Sequence, residues 1–166
     1  IFGSAAEGET PVVTPTPTPT PVSLVDTSGS AIVDGDLITT ATSFDIYIVK
    51  LVGTKKFKRL ILNPEIFNSY GHLSWDNVKT VSQEVQDAYT LADLVLEVTE
   101  DGSVADPKVY RVSSVLDADV GIKQWLDMTV AQFEAEGYDW DAIYKINHTE
   151  ASPDFYPESD AITSTQ

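Results

Sequence analysis

The chain has no cysteine, one methionine and few bases: 10 lysines and arginines stand against 26 aspartates and glutamates. The missing thiols exclude disulfides, thiolate zinc sites, cysteine-ligated iron–sulfur clusters and cysteine nucleophiles. They do not exclude export, because a secreted domain with an adequate core can do without disulfides. The net charge of −16 opposes binding to nucleic-acid phosphates. Charged residues are only 22% of the 166, so the imbalance comes from missing bases rather than surplus charge. No apolar run reaches the ~18 residues of a membrane span. No P-loop, GxGxxG, HExxH or GxSxG pattern occurs. What remains is an ordinary 42% of hydrophobic residues, enough for one domain or two small units sharing a core.

Residues 1–30 contain no lysine or arginine, and five of the nine prolines fall between Pro11 and Pro21. Each proline fixes its own φ and pushes the preceding residue toward extended geometry. The Thr-Pro repeat from Thr14 to Pro21 therefore reads as a stiff spacer, spanning roughly 25 Å at about 3.1 Å per residue. Ahead of it, Ile1 to Ala6 is mostly apolar and ends in small residues, as the end of a signal peptide or membrane segment would. Membrane attachment is expected only through such an N-terminal anchor.

The body repeats itself. Ile46-Tyr47-Ile48-Val49 matches Val109-Tyr110-Arg111-Val112, and Phe57 to Ile61 matches Ile122 to Leu126. Phe67 followed by Gly71 matches Phe133 followed by Gly137, and Trp75-Asp76 matches Trp140-Asp141. The offset drifts between 63 and 66, as small loop insertions would cause. The pattern predicts an α+β fold: two diverged copies of a β-hairpin plus short-helix unit, packed as one body, with an extended Thr-Pro N-terminal tail. Its segments are 1–30 tail and linker, 31–92 first unit, 93–150 second unit and 151–166 C-terminal tail. Pseudo-twofold halves are the expected arrangement.

Within each unit the signals are local. Phe44 to Val49 and Lys56 to Leu62 read as strands around a turn at Gly53-Thr54. Asn63-Pro64 opens a helix that Gly71 is placed to end, and Thr129 to Gln132 is a capping-box pattern with Gly137 closing its helix. Ala31 to Val33, Leu37 to Thr39 and Leu94 to Val98 read as further strands. Ser82 caps a short helix to Tyr89, and Glu100-Asp101-Gly102 is a hairpin turn. A spacing of three places Trp75, Val78 and Val81 on one face of a helical turn, and likewise Trp140, Ile143 and Ile146. They are expected as core plugs; the alternative is a sugar-stacking tryptophan platform.

The run from Asp36-Leu37-Ile38 through Lys55-Lys56-Phe57-Lys58-Arg59-Leu60-Ile61-Leu62-Asn63-Pro64-Glu65-Ile66-Phe67 to Tyr70-Gly71-His72-Leu73-Ser74-Trp75 resembles a module of secreted proteins of candidate-phyla bacteria. Trp125 to Thr129 and Gly137 to Asp141 fit the same pattern in the second half. In such proteins the module sits beside Thr-Pro linkers. The resemblance covers roughly residues 31–150 and implies a secreted or cell-surface setting with no known catalysis. It supplies no site residues.

Lys55, Lys56, Lys58 and Arg59 hold four of the ten bases within five positions. On a strand, Lys56 and Lys58 share one face and Arg59 takes the other. They read as a solvated hairpin or as a docking patch for an acidic partner. The second half supplies one: residues 84–166 carry net −14, residues 1–83 net −2. Copies could thus meet head to tail and build a filament, with Val12, Val13, Val22 and Leu24 pairing as an added strand on a neighbour. The acidic pairs Asp34/Asp36, Asp117/Asp119 and Asp139/Asp141 lack the spacing of a calcium loop, and His72 and His148 lack metal-ligand spacing. No metal, cofactor or catalytic group is assigned. The expected function is a non-enzymatic extracellular structural protein, a self-assembling filament subunit or envelope-attached module. The alternative is a monomeric surface binding module for a glycan or protein, which should leave Trp75, Trp125 or Trp140 exposed.

Overall fold

β-branched and aromatic residues fill most of 46–52, Phe57 and Ile61 extend that preference into 55–61, and Gly53 between the two segments supplies a φ of 58°. In the computed structural model of the protein these segments form the hairpin β2 (Ile46–Val52) and β3 (Lys55–Ile61). The structure describes residues 21–114 and 119–164. β1 (Leu37–Thr40) lies antiparallel to β2. After β3 come α1 (Pro64–Ser69), a 3-10 turn at Trp75–Asn77, β4 (Val78–Val81), α2 (Gln83–Asp87) and β5 (Thr90–Leu91). β4 runs parallel beside β1 and β5 parallel beside β3, giving the order β4-β1-β2-β3-β5.

The second unit repeats every step. Its elements are β6 (Leu94–Val98), β7 (Val104–Ser114), β8 (Gly121–Asp127), α3 (Val130–Ala135), a 3-10 turn at Trp140–Ala142, β9 (Ile143–Ile146), α4 (His148–Ala151) and β10 (Glu158–Thr163). The order β9-β6-β7-β8-β10 is that of the first sheet. The registers agree: Tyr47 faces Leu60 and Val49 faces Lys58, as Tyr110 faces Trp125 and Val112 faces Lys123. Lys58 Nζ donates to the Gln86 carbonyl of α2 (2.7 Å), and Lys123 Nζ to the Ala151 carbonyl of α4 (2.6 Å). Each ammonium also lies over a tyrosine of the adjacent strand, two residues from its register partner: Tyr47 for Lys58 and Tyr110 for Lys123. The chain is thus mixed α+β with two similar units.

The caps form as expected, while several other local expectations meet a different outcome. Asn63, Ser82 and Thr129 cap their helices, the last as a capping box. Gly137 closes α3 with φ 84°, but α1 ends at Ser69 with Tyr70 extended, so Gly71 does not provide its stop. Ala31 makes only an isolated bridge to Val25. The expected C-terminal tail, 151–166, holds the end of α4 and the whole of β10, which pairs with β8. The helical turn after each Trp-Asp lasts three residues and then becomes β4 or β9. On a strand, positions three apart point to opposite faces, so Val78 and Val81 part company.

The units also do not meet as twofold mates. In the first sheet Leu37, Ile48, Val78 and Ile61 share the front face; Ile38, Val49 and Val81 share the rear. The front packs with Phe67 of α1 against Val95, Tyr110, Val112 and Ile146, which are the rear face of the second sheet. Front meets rear, so the units stack head to tail. The rear of the first unit is covered by Val22, Leu24 and Ile32, tied down by Thr27 N donating to the Thr80 carbonyl at 2.8 Å. The front of the second closes over Leu94, Leu126 and Phe133 with its own Met128, Tyr138 and Ile162.

Gly121, at the start of β8, sits against the second unit's C-terminal segment. A Cβ there would lie 2.4 Å from the Ser113 carbonyl oxygen and 2.6 Å from the Tyr156 ring. Gly121→Ala is expected to destabilise the protein by about 1–3 kcal/mol through overpacking. Thermal denaturation beside a control, Gly71→Ala, where a Cβ meets nothing within 4 Å and φ is not positive, measures it.

Candidate functional site

The basic hairpin does not form one exposed patch. Lys55 Nζ bridges Asp139 (2.8 Å) and Asp141 (2.7 Å) of the second unit. Lys58 is spent on α2, and Lys56 lies half-buried on the same sheet face as Lys58. Arg59 faces the other way, as strand alternation requires, and is 4% exposed. Its guanidinium pairs with both oxygens of Glu150 in α4, itself 0% exposed. Tyr70 donates to the same carboxylate, and the ring of Tyr144 lies 5.4 Å from the guanidinium carbon. Burial alone would lower the Arg59 pKa; the Glu150 carboxylate reverses this and holds it above its ordinary value. Burial, then Glu150, raises the Tyr70 phenol, so it stays a proton donor. The acidic half that the hairpin faces is therefore its own.

Of the tail residues, Val12 and Val13 lie outside the described residues. Val22 and Leu24 pack on the rear of the first unit. The acidic pairs are taken up locally: Asp34 accepts from Leu51 N at 2.7 Å and Asp36 from Val33 N and Lys79 Nζ. Asp117 lies outside the described residues. His148 Nδ1 contacts Glu97 at 2.7 Å, and His72 lies edge-on to Tyr70. Among the described residues no three His, Cys, Asp or Glu side chains gather as a metal site would need. No described helix is long and apolar enough to cross a membrane.

The tryptophans are a feature that both units present to the outside at the same place in the repeat. Trp75 is 49% exposed and Trp140 44%. Each stacks one face on a buried phenylalanine, Phe67 or Phe133, with ring centroids 4.0 Å apart. Each indole N–H is held by the next residue of the helix: Asn68 Oδ1 at 2.9 Å, Glu134 Oε1 at 3.2 Å. Ser74 and Asp139 cap the 3-10 turns that begin with the tryptophans. A ring fixed on one face and along its N–H edge cannot rotate away. Trp125, by contrast, is half-buried with Lys108 Nζ 4.6 Å over its ring. Of the expected core plugs, Val81 and Ile146 are buried, whereas the two tryptophans are half-exposed platforms, because the short turn ends before the strand and leaves each indole at its edge.

No family model, curated protein or solved structure matches the chain.

Glu150 was not singled out from the sequence, although Asn147-x-x-Glu150 has the form of a capping box. Asn147 Oδ1 does accept from Glu150 N at 2.8 Å. Glu150→Ala would leave Arg59 buried without a counter-charge, at an expected cost of about 3–5 kcal/mol. Arg59→Met with Glu150→Leu is expected to recover most of that loss, read as denaturant midpoints. The exposed Lys55 pair acts on pH. Hydrogen bonding from Lys55 holds Asp139 below its usual 3.8. Its small contribution to stability is present above pH 3.8 and is lost as pH falls through the depressed value. NMR titration of the Asp139 carboxyl should move back toward 3.8 in Lys55→Ala.

Proposed function

We propose that the protein is a non-enzymatic binding module of the cell exterior, whose two tryptophan platforms hold a glycan. The observation that carries this reading is the paired geometry of Trp75 and Trp140: one face stacked on a buried phenylalanine, the other open, in both units. An open indole face suits the C–H face of a sugar ring, and a fixed ring loses little entropy on binding. The Thr-Pro tract and the resemblance to secreted modules support an extracellular setting, with the tract as tether. Head-to-tail assembly into a filament draws less support. Its argument was a basic hairpin in search of an acidic partner, and Lys55 and Arg59 already have theirs within the chain.

Titration with soluble hexasaccharides of glucose, mannose and N-acetylglucosamine, followed by tryptophan fluorescence and calorimetry, tests the reading. Trp75→Ala and Trp140→Ala should each weaken binding by about 2- to 10-fold, the worth of one ring contact. The double variant should lose more than the product, through lost bivalency. Unchanged binding in the double variant, or none by the parent, overturns it.

A further inference from the structure

The two sheets differ at one edge. In the second unit β10 follows β8 over its length, with Ser159 opposite Gln124 and Ile162 opposite Leu126. In the first unit the matching β5 pairs only with Phe57 and Lys58. There the chain turns away to begin the second unit: Ala92 N donates to the Lys58 carbonyl (2.8 Å), and the Asp93 carbonyl accepts from Val112 N. Past Lys58, among the described residues, β3 has no neighbour on that side.

Backbone groups alternate in direction along a strand. Because the Lys58 carbonyl faces β5, the N–H and C=O of Leu60 and Leu62 face the same open side. Leu60 O takes only a long 3.4 Å bond from Arg59. Beside this edge lies a groove of about 810 Å³, with Tyr47, Leu91 and Tyr156 as apolar walls. Two carboxylates, Asp45 and Asp119, also line it, beside Asp93, which is already paired with Arg111. The guanidinium there, Arg59, is spent on Glu150.

We propose that this edge takes an extended, proline-free, cationic segment of a partner polypeptide, parallel to β3, in the place that β10 fills in the second unit. The molecule itself displays the filled version of the slot, and strand addition draws its affinity from main-chain hydrogen bonds. The carboxylates choose the charge. The chain's own first 30 residues fit poorly: they carry Glu7, Glu9 and Asp26 with no base, and alternate prolines from Pro15 to Pro21 cannot donate.

The probe is a peptide built on the Ser159–Thr163 sequence, with lysine in place of its aspartate and at both ends. Bound to the full chain, it should slow amide exchange at Leu60 and Leu62 about tenfold or more. Raising salt to about 0.5 M should weaken binding. Asp45→Asn with Asp119→Asn should weaken it several-fold, and N-methylation on the β3-facing amides should abolish it. Four results would overturn the proposal: no protection at saturating peptide, equal binding by the N-methylated peptide, or protection of Gln124–Leu126 instead. The fourth is protection of Leu60 and Leu62 in the free protein that disappears on deletion of residues 1–20.

Discussion

A guanidinium on β3 and a carboxylate on α4 are both withdrawn from water, and each is tolerable only because of the other. Arg59 belongs to the first unit and Glu150 to the second, so the pair exists only while the units are stacked. Removing two charges from water costs several kcal/mol each, and mutual attraction returns much of it only in good geometry. Such a pair adds little net stability over an apolar one, but it penalises every arrangement that separates its members. The position shows this within the molecule. Glu150 occupies the third position of α4, as Val85 does in α2. Val85 asks only for apolar cover, and Val22, Leu24 and Ile32 provide it. Glu150 asks for a cation at one point, and the front face of the first unit has one.

That asymmetry gives the stack its direction and its ends. Head-to-tail units would continue indefinitely if every front face were alike. They are not alike: where the first unit has Ile48 and Arg59, the second has Arg111 and Gln124, and Arg111 is held outward by Asp93 at 2.8 Å. The other end is closed by the chain's own segment from Val22 to Ile32. Polar outer faces and covering segments are how stacked repeats stop. The polarity of charge along the chain has the same cause. The nearly neutral first half and the acidic second half are joined by Lys55 and Arg59, so the imbalance serves an internal contact before any external one.

Features governed by neighbours in sequence were readable. Asn63-Pro64, Thr129 to Gln132 and Ser82 act through bonds three residues long, and the hairpins follow from Gly53 and Gly102. The duplication was readable because two copies had to satisfy the same local rules. What was not readable depends on distant partners. Strand alternation separates Arg59 from Lys56 and Lys58, but only Glu150, ninety-one positions on, shows that the face carrying Arg59 is the one buried around a counter-charge. β10 shows no alternation because it is an edge strand in which Ile162 alone packs inward. The spacing of Trp75, Val78 and Val81 fitted a helix because a 3-10 turn followed by a strand produces the same intervals. The site was hidden by that ambiguity: a helix would have buried the indoles that the turn leaves outside.

The tryptophan platforms inherit their rigidity from the cores beneath them. Phe67 is 1% exposed and belongs to the cluster that joins the units; Phe133 is 3% exposed and belongs to the core of the second. A single ring contact is worth only about 0.5–1.5 kcal/mol, too little to hold a ligand alone. On the proposed reading, two such contacts carried by one body would act together, because the second would meet its ligand at the effective concentration that the first creates. This works only while the separation of the platforms is fixed, since a freely hinged pair spends the advantage on ordering itself. The element that fixes it is the stacking of front on rear, and the interaction that makes that stacking specific is Arg59 on Glu150. The buried pair, which touches neither tryptophan, thus helps set how the two platforms stand relative to each other.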